Sequence, residues 1–156
     1  MTKKKDINPA IGAMLVQARE LLAHEHSLFR SLNLEPLLIG NGKTSFGVDL
    51  PSDFAAADGK LHGSLLTIIM DSIFGITVFT ALDQMQPVAT INLRSNYLQQ
   101  ITPGQRAICN AQCISVQGEI AHVDGDIRTE QGNTLIATAS GAFMVGTKTS
   151  AKGSRL

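Results

Sequence analysis

The sequence predicts an α+β domain in which a curved antiparallel sheet wraps one long buried helix. Three observations predict it. Leu61–Leu82 is the most apolar stretch of the chain and carries a single charged residue, Asp71. Strand-like segments lie on both sides of that stretch. The breaks between them are short turn signals: Gly40-Asn41-Gly42, Pro103-Gly104, Gln117-Gly118 and Glu130-Gln131-Gly132-Asn133. Consecutive strands joined by such turns are expected to be antiparallel neighbours. A helix apolar on nearly all sides is best buried when a sheet curves round it.

In chain order, Ile7–Phe29 has helical spacing, with Ile11, Met14, Leu15, Ala18, Leu21 and Leu22 on one face. Asn8-Pro9 supplies a cap followed by proline at the first helical position. Residues 1–30 are therefore read as an extra N-terminal helix packed on the domain. His24 and His26 are two apart and cannot share a metal face. Leu34–Leu50 reads as a hairpin, because Phe46, Val48 and Leu50 alternate with Ser45, Gly47 and Asp49. Pro51–Lys60 is a loop of small residues that leads into His62. After the central helix, Asp83–Pro87 breaks the chain. Val88–Leu98 then alternates, with Ala89, Ile91, Leu93 and Tyr97 on one face and Thr90, Asn92, Arg94 and Asn96 on the other. Gln105–Val116, Glu119–Thr129 and Thr134–Val145 complete the strand series. Residues 147–156 are small and polar, a flexible tail, which leaves 31–146 as the domain proper.

The 156 residues suit one domain with a core that needs no cross-link. Lys+Arg and Asp+Glu are 13 each, so the basic excess of a nucleic-acid binder is missing, and little net charge opposes self-association. Ser64–Leu82 is long enough to span a membrane, but Asp71 and Gly75 interrupt it and Lys or Arg flanks are lacking. The N-terminal lysines are followed by Asp6, Asn8 and Pro9, not by the apolar run of a secretory leader. Cys109 and Cys113 lie in a strand-like run and read as free thiols, with no metal site. A cytoplasmic protein is expected.

A lone acid in the most apolar segment is either a paired structural charge or a working group. Gly63 stands where the helix begins. Its N–H is left without an intrahelical partner, at the positive end of the dipole, where it can polarise a carbonyl. Asp71 can serve as general base or nucleophile. Eight residues of helix separate the two by about 12 Å, too far to meet at one carbon. Two antiparallel copies of the helix would bring Gly63 of one chain to Asp71 of the other, so an isologous dimer is expected.

His62-Gly63-Ser64, with Asp71 nine residues after the histidine, resembles the helix start of the PaaI-like thioesterases of the hotdog fold. Arg94-Ser95-Asn96-Tyr97-Leu98, Pro103-Gly104, Gly118 and Thr138–Val145 fit the same family, so the likeness covers about residues 34 to 146. It implies an acyl-CoA thioesterase in which coenzyme A is part of the substrate and no other cofactor is needed. It implies a homodimer, or a dimer of dimers. Asp71, Gly63, His62 and Thr90 fall at catalytic positions, with Thr90 where some relatives hold the attacking water with serine. Ser64, Arg94 and Asn96 become candidates for binding substrate, and Arg94 and Arg106 suit coenzyme A phosphates. The sequence departs from the family pattern twice. Ser64 replaces the second glycine of the helix start, and Ala56 stands where an Asn or Gln usually lies six residues before the histidine. Two other readings remain: a non-catalytic acyl-CoA binding module, which Ala56 favours, and a hydratase or dehydratase of the same fold.

Overall fold

The computed structural model describes residue 13, residues 27–84 and residues 86–146. Most of the expected helix at Ile7–Phe29, and the tail at 147–156, lie outside the described residues. The described chain runs α1 (Ser27–Leu32), β1 (Glu35–Gly40), β2 (Lys43–Asp49), a 3-10 turn (Ser52–Phe54), α2 (Ser64–Ala81), β3 (Val88–Tyr97), β4 (Arg106–Gln117), β5 (Ile120–Thr129) and β6 (Leu135–Val145). Asn33, at φ 42°, stops α1 in the left-handed conformation that asparagine tolerates.

The six strands form one antiparallel sheet in the order β1-β2-β4-β5-β6-β3. It curves round α2 in the hotdog arrangement. Asn41 and Gly42 both take positive φ, 47° and 73°, the backbone that a two-residue hairpin turn requires.

One expectation fails here: β3 and β4 follow each other in sequence but are not neighbours. β3 lies at the far edge beside β6, and β4 lies between β2 and β5. The connecting segment crosses the end of the sheet. The N–H groups of Leu98 and Gln99 donate to Ile136 O, Gly104 N–H donates to Leu50 O, and Ile101 is buried. Pro103-Gly104 does turn the chain, but it turns it toward β2.

Helix α2 is the core. Leu65, Leu66, Ile69, Met70, Ile73, Phe74 and Val78 are buried among inward side chains of the sheet, including Phe46, Val48, Cys109, Val123, Ile127 and Phe143. Each large side chain so buried contributes about 1.5–3 kcal/mol. The helix is long and apolar enough to cross a membrane by length and composition, yet half of it is buried inside this fold. Its last turns are tied to the first hairpin by buried hydroxyls. Thr77 Oγ1 lies 2.6 Å from Thr44 Oγ1, and Gly42 N–H donates to Thr80 Oγ1 at 3.1 Å. Those bonds fix how α2 lies against the sheet, and so where its N-terminus points.

Candidate active site

Helix α2 starts cleanly. Leu65 N–H donates to His62 O at 3.1 Å, and Leu66 N–H donates to Gly63 O at 2.9 Å. Ser64 N–H donates to His62 Nδ1 at 3.2 Å, and Ser64 Oγ lies 2.8 Å from the same nitrogen. The His62 ring therefore closes on Ser64 and braces the helix start, as a capping side chain does. The Gly63 N–H has no hydrogen-bond partner among the described residues. Gly63 is already helical, at φ −58° and ψ −26°. The expected free donor at the positive end of the helix is thus in place.

Pairing register sorts the side chains of β3. Val88 opposes Val145 and Thr90 opposes Phe143; beyond Ile91, Leu93 opposes Gly141, Ser95 opposes Ala139 and Tyr97 opposes Ala137. Phe143, Ala139, Ala137 and Val145 belong to the core, so Thr90, Leu93, Ser95 and Tyr97 share the side that faces α2. Asn92, Arg94 and Asn96 oppose Ala142, Ser140 and Thr138 on the outer side. The sequence expectation put Thr90 on one face with Asn92 and Arg94. The register shift at Ile91 inserts an extra residue and reverses the alternation after it.

That shift lines β3 up with one stripe of the helix. Gly63, Thr67 and Asp71 are four apart and lie along one side of α2. Tyr97 packs its ring on Gly63, where a Cβ would come within 3.2–3.3 Å of three ring atoms. The Tyr97 hydroxyl is 2.5 Å from Thr67 Oγ1, and Thr67 Oγ1 donates to Ser95 Oγ at 3.0 Å. With Thr67 donating to Ser95, Tyr97 donates to Thr67. Thr90 Oγ1 donates to Asp71 Oδ1 at 2.8 Å, and Asp71 Oδ2 takes no hydrogen bond among the described residues. Asp71 is half-buried, an acceptor held by one hydroxyl with a second oxygen free.

The structure thus sets Gly63 and Asp71 on one stripe of α2, with Thr90 bonded to Asp71 and His62 and Ser64 at the helix start. Arg94 and Asn96 lie on the outer face, where Asn96 Nδ2 donates to Thr138 Oγ1 at 3.2 Å. Arg106 is committed elsewhere. It pairs with Asp49 at 2.6 Å, Glu130 at 3.3 Å and also Glu35, with its guanidinium over Gly47. Asp49 above all keeps it charged, and three carboxylates already hold it. The loop holding Ala56 is a tight turn, in which Ala56 N–H donates to Lys60 O at 2.8 Å and Lys60 N–H to Asp58 Oδ1 at 3.1 Å. Sequence reasoning missed Thr67, Ser95 and Tyr97 as members of the site. Thr67 was findable, since it is four residues from both Gly63 and Asp71. Among the described residues no three His, Cys, Asp or Glu side chains gather as a metal site.

Compared with known families, residues 58–136 match the Thioesterase superfamily. That is half of the chain, and it contains the helix start, Asp71 and Thr90. The chain belongs to the Thioesterase superfamily. Solved structures of similar fold bear the same name. Zebra fish thioesterase superfamily member 2 aligns with a TM-score of 0.76 at 16% identity, over 86% of this chain and 97% of that one. A hypothetical thioesterase from Streptococcus pneumoniae, solved with coenzyme A, aligns at 0.71 and 17% identity over 86% and 99%. A mutant of the phenylacetic acid degradation protein PaaI from Thermus thermophilus aligns at 0.65 and 21% identity over 74% and 95%. No curated protein matches this thioesterase-superfamily chain in sequence.

Proposed function

We propose that this chain hydrolyses an acyl-CoA thioester at sites shared between two copies. The observation that carries the reading is the stripe on α2. A free N–H at Gly63 and a carboxylate with one free oxygen at Asp71 face the same strand, two helical turns apart. The thioester carbonyl accepts from Gly63 N–H, whose dipole favours the charge that develops on oxygen. Water adds to the carbonyl carbon and its proton passes to Asp71, which Thr90 orients. The C–S bond then breaks, and the proton leaves with the coenzyme A sulfur. The coenzyme A bound by the pneumococcal relative supports this choice of substrate class.

The second copy is argued from β3. This ten-residue strand is the sheet edge nearest the site. It contains neither proline nor lysine, the residues that commonly protect an edge. Ile91 is about half exposed along it and Leu98 just beyond its end, and Ile68 is exposed on the adjoining face of α2. Antiparallel pairing of two β3 strands would continue the sheet, cover these side chains and set Gly63 of each copy toward Asp71 of the other.

The test is release of free thiol from a panel of acyl-CoAs, comparing the wild type with Asp71→Ala. Turnover by the wild type that Asp71→Ala abolishes supports the reading. Wild type that releases no thiol at any chain length sinks it. One observation favours a non-catalytic acyl-CoA binding module instead: the loop before His62 presents the methyl group of Ala56 where relatives present an amide. Acyl-CoA binding without turnover would establish that alternative.

A further inference from the structure

The Tyr97 ring packs on Gly63, and about half of the side chain is open to solvent, 51%. Its ring rests on the bare Cα, and its hydroxyl is anchored by Thr67, itself held by Ser95. Held at the ring and at the hydroxyl, it cannot swing away without breaking two contacts. It stands as a fixed flat wall beside the Gly63 N–H. A carbonyl that accepts from that N–H comes within reach of the ring, which lies against the same residue.

We propose that Tyr97 is a specificity-determining residue: its ring bounds the space for the acyl carbon next to the thioester carbonyl. The site then favours acyl-CoAs that are straight or flat at that carbon over those branched there. The inference rests on the thioesterase reading and adds the substrate class. A flat aromatic face accommodates a methylene or an aryl carbon in contact, whereas a branch at that carbon would have to displace a ring held by hydrogen bonds.

Initial rates are measured with straight and α-methyl-branched acyl-CoAs of matched carbon count, short, medium and long. The proteins are the wild type, Tyr97→Phe, Tyr97→Leu and Tyr97→Ala. The readout is the ratio of kcat/KM within each matched pair, which loss of folded protein leaves unchanged because it scales both members alike. The wild type is expected to prefer the straight member, and Tyr97→Phe to keep most of that preference because the ring remains. Tyr97→Ala is expected to narrow it about tenfold, the scale on which one methyl group is discriminated. Tyr97→Leu, which keeps apolar bulk, gives the answer if the alanine variant does not fold. A wild type without preference overturns the proposal, and so does a ratio unmoved in both truncated variants. Wild type that hydrolyses nothing removes the thioesterase reading itself; active wild type with an unmoved ratio removes only the role of Tyr97.

Discussion

Proline at position 63 would remove one hydrogen-bond donor and leave the helix backbone in place. Gly63 sits at φ −58°, inside the range that the proline ring imposes, and its N–H serves no bond among the described residues. Its carbonyl still accepts from Leu66. Proline is also favoured at the first helical position. The added Cβ would crowd the Tyr97 ring at 3.2–3.3 Å, so Gly63→Ala is the matched control: it brings the same Cβ and keeps the N–H. Loss of one oxyanion donor lowers kcat by about 100- to 1000-fold. Crowding of Tyr97 by the Cβ is common to both variants and cancels in their ratio. The assay is thiol release at saturating acyl-CoA, with melting curves to confirm that both variants fold. Gly63→Pro is expected to fall at least about 100-fold below Gly63→Ala. Equal kcat in two folded variants would refute the assignment of the Gly63 N–H, whatever Asp71 does.

Mixing denatured and renatured Gly63→Pro with Asp71→Asn, each inactive alone, should restore about a quarter of wild-type activity, because half the random dimers carry one intact site of two. No recovery despite mixed dimers would argue for sites built within one chain. Gly125 allows Phe74 to lie against the sheet, since a Cβ there would be 2.4 Å from Asn110 O and 2.5 Å from the Phe74 ring. Gly125→Ala should cost about 1–3 kcal/mol and lower Tm by several degrees; an unchanged Tm would mean that the ring has room to spare. Burial first, and Asp126 second, push the Cys109 thiol well above its ordinary value of 9.0. The unfolded chain can release this proton above that pH while the folded chain retains it. The denaturation midpoint is therefore expected to be unaffected by Cys109 near neutrality and to fall above about pH 9, with Cys109→Ala showing a shallower fall.

Much of the fold was legible because its strongest signals are local. The apolar run at 64–82 had to be a buried helix, and Asn41-Gly42, Gly118 and Gly132 mark the turns where the backbone takes positive φ. The place of β3 was not legible. A turn signal at Pro103-Gly104 says that the chain bends there, but not which strand it bends toward. That choice rests on Ile101, Leu50 and Ile136, which are distant in sequence. The site was legible at its two ends, since a glycine at a helix start and an acid in an apolar helix are each unusual. The hydroxyls of Ser95 and Tyr97 were not, because both look like ordinary strand residues until the register is known. Arg106 shows the converse: its charge invited a role with phosphate, and three carboxylates from separate elements already hold it.

The extra residue at Ile91 makes β3 a strand of two phases. Upstream of it, even-numbered positions face α2; downstream, odd-numbered positions do. Deleting Ile91 would leave Thr90, opposite Phe143, directly before Asn92, opposite Ala142, so the two phases would merge into one regular ladder in which Thr90 still faces Asp71. Relatives of this chain that differ by one residue between Thr90 and Leu93 should therefore be compared by phase before they are compared by residue identity.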